Sequence, residues 1–265
     1  MLGKLIKHEL KDTSKLFLIM YAAITIVAIA DKIFFYINED WIFANILSGV
    51  LLVTYILGIA ALFIMTVVLV VKRFYDNMLK DQGYLTFTLP VTTNAHMISK
   101  LLVAFIWSVL TCVVTAITLV ITIVDKEVIE VLPELIKVIT ETITKYDLYG
   151  LLVKVFIFCI VSAFMSILSF YFCLSVGQLF NKHKILGAVL TYFGIYIIMQ
   201  IIMQVVITTV TMNFDMMYAL LYGNANLYID FADIMLDIYL IIYIILAIVF
   251  YVASTLILDK KLNLE

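Results

Sequence analysis

Long apolar runs separated by short polar knots set the architecture of this chain. Six stretches, approximately 16–37, 42–71, 101–124, 151–180, 185–211 and 234–258, are almost free of charge. Each reaches the roughly 20 residues needed to cross about 30 Å of hydrocarbon. Several are longer, which predicts helices that tilt or project beyond the bilayer. Only Asn181-Lys182-His183-Lys184 divides the fourth stretch from the fifth, so a tight hairpin at a membrane face is expected there. The pattern predicts an all-α integral membrane protein, one domain over residues 1–265 with six transmembrane helices.

The segments between the spans carry patterns of their own. In residues 1–15, Leu2, Leu5, Ile6, Leu10 and Thr13 share one helical face, and Lys4, Lys7, His8, Lys11 and Lys15 the other. Such a helix is expected in the headgroup layer, its cations toward anionic lipid. It reads first as an anchor, and alternatively as a lever touched by a partner. Residues 72–100 are too apolar for a solvated connector, because Phe74, Tyr75, Met78, Leu79, Tyr84, Leu85, Phe87 and Leu89 need a surface to cover them. Gly83 can end a short helix, Pro90 interrupts the chain beyond it, and Thr92 or Thr93 can cap the next helix. The loop either folds on the membrane face or docks on another protein. Residues 125–150 predict one amphipathic helix broken or started near Pro133 and resting on the far face. Its apolar positions are Val128, Leu132, Leu135, Ile136, Ile139 and Ile143. Residues 212–233 suggest re-entrant helices turning at Gly223-Asn224, provided protein covers their backbone.

Composition agrees with the spans. Of 265 residues, 65% are hydrophobic and 14% charged, against roughly 45–50% and 25% in soluble domains. Lys and Arg fix the orientation. Twelve of the seventeen lie on the side holding the N-terminus, the 72–100 loop, the 181–184 hairpin and the tail. Both termini are therefore expected to be cytoplasmic. Acidic residues split six and thirteen, so the formal charge of −2 divides into +6 inside and −8 outside. Ala28-Ile29-Ala30 has the look of a signal-peptidase site. Hydrophobicity resumes beyond it, however, and Glu9 and Asp12 spoil a basic leader, so cleavage is not expected.

Candidate chemistry is sparse. The chain has no P-loop, no His-Glu-x-x-His zinc motif and no Gly-x-Ser-x-Gly elbow, so neither metal binding nor an enzyme activity is expected. Cys112, Cys159 and Cys173 lie inside apolar runs. No charged residue sits near the middle of a span, which argues against an ion-driven pump. Mid-span polarity is neutral instead. Tyr192, Tyr196, Gln200 and Gln204 recur every four residues in the fifth span. A packing contact and a pathway lining are both open readings for this stripe. Ser108, Thr111, Thr115, Thr118 and Thr122 in the third span, and Cys159, Ser162, Ser166, Ser169 and Cys173 in the fourth, read as close helix packing through small residues.

Three stretches resemble the permease subunit of type-2 ABC transporters, the ABCG-like (type V) exporter fold. They are the amphipathic start Leu2–Lys11, the segment Gly83-Tyr84-Leu85-Thr86-Phe87-Thr88-Leu89-Pro90-Val91-Thr92 followed by Ser99-Lys100-Leu101, and the interrupted segment between spans five and six. The likeness covers most of the chain in layout and about thirty residues in motif. It implies a bacterial plasma-membrane protein with a cytoplasmic coupling helix between spans two and three. Two permease subunits, alike or different, would each dock on a separate ABC ATPase that binds ATP and magnesium. No nucleic-acid partner is implied. The coupling contacts would be Phe74, Tyr75, Met78, Leu79, Gly83, Tyr84, Leu85, Phe87, Leu89 and Pro90. Lys4, Lys7, His8 and Lys11 would face the membrane surface or a partner. Spans two and five would line a pathway, with Tyr192, Tyr196, Gln200 and Gln204 along it. An amphipathic peptide, a drug or a lipid-like molecule is the cargo implied. The alternative is a membrane scaffold or sensor that transports nothing.

Overall fold

The computed structural model describes residues 2–37, 42–80, 91–180, 182–213 and 225–260. Most of them are helical, and no strand occurs among the described residues. In chain order the helices are α1 (Leu2–Ile37), α2 (Ile42–Phe74), which continues into a π-helical turn (Tyr75–Leu79), and α3 (Thr93–Ile123). Then come α4 (Lys126–Lys145), α5 (Tyr149–Gly177), α6 (Lys184–Asn213) and α7 (Ala225–Lys260). All but α4 are long and apolar enough to cross a membrane, which makes six candidate spans.

The helices form two compact units, one from α1, α2, α3 and the first part of α4 (to Lys137), and one from the end of the π-helical turn (from Asn77), the rest of α4 and α5, α6 and α7. In the first, α1 and α3 run parallel and α2 runs against them. Thr13 meets Trp107, Tyr21 meets Thr111 and Lys32 meets Asp125, so contacts advance together along both chains. On α2 the order reverses, with Arg73 beside Glu9 and Tyr55 beside Thr118. Phe17, Tyr21, Ile24, Ala28, Tyr55, Leu62, Val103 and Trp107 form the core of this unit. The Phe17 ring stacks on Trp107 at 4.3 Å between centroids.

In the second unit α5 and α7 run parallel. Lys154 pairs with Asp233 and Asp237 near the start of both helices. Further along, Phe158 meets Tyr243 and Phe172 stacks on Phe250. Helix α6 turns back along α5, with Phe170 stacked on Tyr192. Gly177 permits this turn. A Cβ there would lie 2.6 Å from the Lys184 carbonyl oxygen and 2.8 Å from the Ala188 Cβ.

Several elements differ from the sequence expectation. Residues 2–15 are not a separate surface helix, because α1 continues through them without a break. No Gly or Pro interrupts the run after Gly3. At 1.5 Å per residue its 36 residues extend about 54 Å, more than the roughly 40–45 Å of a whole bilayer. Pro133 lies inside α4 and neither breaks nor starts it. The cap at the start of α3, by contrast, is as expected: it is Thr92, whose Oγ1 accepts from the Ala95 amide. Residues Tyr75–Leu79 extend α2 instead of opening a separate coupling helix. Ala225–Asp233, expected in a re-entrant hairpin, is the beginning of α7. The expected turn at Gly223-Asn224 lies outside the described residues.

Gly177→Ala is expected to force α5 and α6 apart and lower stability by about 1–3 kcal/mol, as overpacking does. Gly194→Ala meets open space within α6 and should instead raise stability by roughly 0.5–1 kcal/mol. Thermal unfolding of the two variants in detergent checks the contrast.

Candidate functional site: an ion network at one end of the first helical unit

Where α1 begins, α2 ends and α3 begins, four charged side chains meet. Glu9 Oε2 accepts from Arg73 Nε at 2.9 Å, and Glu9 Oε1 accepts from Lys100 Nζ at 2.7 Å. Arg73 Nη2 donates to Asp12 Oδ2 at 2.7 Å, and exposed His8 lies 3.4 Å from the same oxygen. The Lys100 side chain is only 3% exposed and that of Glu9 14%. Removing a buried ammonium from water costs several kcal/mol, so its carboxylate partner is a requirement of the fold. One carboxylate thereby joins three helices, since Arg73 closes α2 and Lys100 sits near the start of α3.

Sequence supplies the positions simply. Glu9 is four residues from Leu5 and Thr13 and three from Ile6, so a carboxylate falls on the apolar face of α1. Asp12, one turn on, lies beside it. His96, also in the first turn of α3, is 4% exposed. Its Nε2 is a buried nitrogen with no hydrogen-bond partner among the described residues.

A ladder of neutral polar groups continues from the network into the unit. Trp107 Nε1 donates to Thr13 Oγ1 at 2.8 Å, and Thr13 Oγ1 donates to the Glu9 carbonyl at 2.8 Å. Deeper, the hydroxyls of Tyr21, Thr111 and Thr66 cluster, with separations of 2.9 and 3.1 Å. Tyr55 donates to Thr118 at 3.0 Å. At the far end Lys32 Nζ pairs with Asp125 and donates to the Val124 carbonyl, tying α1 to the end of α3. In an apolar medium such groups find partners on neighbouring helices, which is how helices associate without hydrophobic drive.

The residues singled out from the sequence fall in different places. Lys4, Lys7, His8 and Lys11 are exposed on α1. Phe74, Met78 and Leu79 are buried by the chain itself, and Tyr75 is half-buried. The expectation that these four await a partner's surface therefore does not hold for the first three. Gly83, Tyr84, Leu85, Phe87, Leu89 and Pro90 lie outside the described residues. Along one stripe of α6, Tyr196 and Gln200 lie open, with Tyr192 and Gln204 on the same line, and Gln200 Nε2 donates to the Tyr196 hydroxyl at 3.1 Å. Thr111, Thr115 and Thr118 are buried, as close packing requires. The α5 stripe divides, with Ser169 and Cys173 buried but Cys159 exposed. Glu9, Asp12, Arg73 and Lys100 were not anticipated as a set. The available signal was a pair of carboxylates in an otherwise basic segment. No group of His, Cys, Asp or Glu suited to a metal occurs among the described residues.

No family model, curated protein or solved structure matches this chain.

Glu9→Leu is expected to lower stability by about 3–5 kcal/mol, the cost of leaving a buried partner charge unpaired. Glu9→Leu combined with Lys100→Met should recover much of that loss, because no unpaired ammonium remains buried. Lys154→Met, whose partners Asp233 and Asp237 are solvent-accessible, should change stability far less. Unfolding midpoints of the four proteins in one detergent decide the order. His96→Leu removes an unpartnered polar atom and should be neutral or stabilising, since an unmade buried hydrogen bond costs roughly 1–3 kcal/mol.

Proposed function

We propose that this chain is the membrane subunit of an ABC exporter, paired with a second permease subunit and driven by a separate ATPase that holds ATP and magnesium. The observation that carries this reading is the sharing of Glu9 by Arg73 and Lys100. Those two cations flank the segment that joins α2 to α3. A displacement of that segment would reach α1, α2 and α3 together through one buried carboxylate.

In this reading both termini and the 80–92 segment face the cytoplasm of a bacterium, as the distribution of Lys and Arg suggests. Buried Phe74, Met78 and Leu79 anchor the base of the segment. Contact with the ATPase then falls to Tyr75 and to the apolar residues from Gly83 to Pro90. The stripe of Tyr192, Tyr196, Gln200 and Gln204 supports a pathway or a subunit contact, because amide groups at span depth require protein or water rather than lipid. With no charge at its centre, that stripe suits an amphipathic peptide, a drug or a lipid-like cargo. A second reading, a scaffold or sensor without transport, draws on the same burial of Phe74, Met78 and Leu79: a loop covered by its own chain has less need of a motor.

Purification of the tagged chain from its native host in mild detergent tests the proposal. An ATPase subunit carrying a Walker motif is expected to co-purify. Glu9→Gln combined with Lys100→Met, which leaves no unpaired ammonium buried, is expected to keep that complex assembled while lowering cargo-stimulated ATP hydrolysis several-fold. Isolation of the chain without any ATPase, or unaltered stimulation in the variant, would favour the scaffold.

A further inference from the structure

Helix α4 is too polar on one side to span and too apolar on the other to be solvated. Val128, Leu132, Leu135, Ile139 and Ile143 fall on one half of its circumference, and Glu130, Glu134, Lys137, Glu141 and Lys145 fall on the opposite side. Ile129, Leu132, Leu135, Val138 and Ile139 are between 42% and 57% exposed. So large an apolar surface does not stay in water.

The connections of α4 decide what covers it. Only Val124 and Asp125 separate it from α3, and only Tyr146, Asp147 and Leu148 separate it from α5. Both neighbours are long and apolar enough to span. Two and three extended residues reach about 7 and 11 Å, so neither end of α4 can leave the membrane boundary. The first junction is also fixed. Lys32 of α1 pairs with Asp125 and donates to the carbonyl of Val124 at 2.8 Å. A helix of 20 residues, about 30 Å long and held at both ends at one bilayer surface, lies along that surface.

We propose that α4 is a membrane-surface helix whose apolar half is immersed in the adjoining lipid leaflet. Its polar half, Glu130, Glu134 and Glu141 against Lys137 and Lys145, carries a formal charge of −1. Anionic headgroups therefore add no attraction, and burial of apolar side chains holds the helix. The occupant of the apolar face is the acyl region of zwitterionic lipid. This inference rests on the spans alone and is independent of any transport role.

The test uses the full chain in phosphatidylcholine vesicles, with Cys112, Cys159 and Cys173 replaced by alanine. An environment-sensitive fluorophore is attached in turn at Leu132→Cys, Ile139→Cys, Glu134→Cys and Lys137→Cys. Blue-shifted emission at 132 and 139, quenched several-fold more by acyl-chain spin labels than emission at 134 and 137, is the expected result. It should persist at high salt and gain nothing from added phosphatidylglycerol. Water-like emission at 132 and 139 would overturn the proposal. So would blue-shifted emission that lipid spin labels do not quench, which would mean that a protein covers this face. Loss of the signal at high salt would overturn it by showing that charge holds the helix. Should the cysteine-free background not fold, Leu132→Trp and Glu134→Trp in the native background, read with brominated phosphatidylcholine, give the same comparison.

Discussion

A single carboxylate governs the first helical unit. Lys100 is almost completely buried, and its ammonium is tolerable there because Glu9 Oε1 lies 2.7 Å away. The other oxygen of the same group accepts from Arg73. Glu9 therefore fixes the rotation of α1 about its axis and its height against α2 and α3. Such a pair adds little net stability over an apolar replacement, but breaking one member is costly. Its effect is to specify one arrangement. Three apolar helices in lipid could slide or rotate with small loss, and a carboxylate that must meet two cations permits one register.

That requirement accounts for the course of α1. A helix lying flat in the headgroup layer could not present Glu9 to residues at the ends of both α2 and α3. An unbroken helix of about 54 Å does, carrying Ile6 and Leu10 against the edge of the core. Below the ions, Thr13, Tyr21, Thr66, Thr111 and Thr118 continue the specification by hydrogen bonds. Each such bond is modest, averaging roughly 0.6 kcal/mol between membrane helices. Spread along the interface they still disfavour any register in which hydroxyls would face lipid. The second unit relies on stacked aromatic rings, on the Lys154 pairs with Asp233 and Asp237, and on Gly177 where α6 turns back along α5.

Sequence reasoning reaches the spans because hydrocarbon demands long uncharged runs, and a soluble domain of this size would have no use for six of them. It reaches the α3 hydroxyl face for a related reason: Thr repeated at three and four residues has an obvious use in helix packing. The ion network is less legible. Glu9 and Asp12 sit among lysines, where a local reading treats them as interruptions, and their partners lie about 60 and 90 positions away. Pairing at that separation leaves no periodic trace. The boundary between α2 and the segment after it is hidden for another reason. Phe74, Met78 and Leu79 resemble a surface in want of a partner because nothing local could cover them, whereas the folded chain does. The start of α7 is obscured because Asp230, Asp233 and Asp237 weaken its hydropathy. Lys154 meets two of those carboxylates, so the helix extends several turns beyond its apolar run.

The two ends of the first unit are built from the same elements to different effect. At one end Glu9 joins α1 to both helices that flank the 80–92 segment. At the other, Lys32 joins α1 only to the exit of α3, through Asp125 and backbone carbonyls. Movement of α1 along its axis would strain both connections, whereas movement of the segment between α2 and α3 would act first on the Glu9 end. The Phe17–Trp107 stack and the Tyr21–Thr111–Thr66 cluster lie between the two ends, so a displacement entering at Glu9 meets packed rings and bonded hydroxyls before it reaches Lys32. Packed interfaces of this kind move as a body or change register in steps. Arg73–Glu9, Tyr55–Thr118 and Thr66–Thr111 tie α2 into the same interface, so this network favours movement of α1, α2 and α3 as one body.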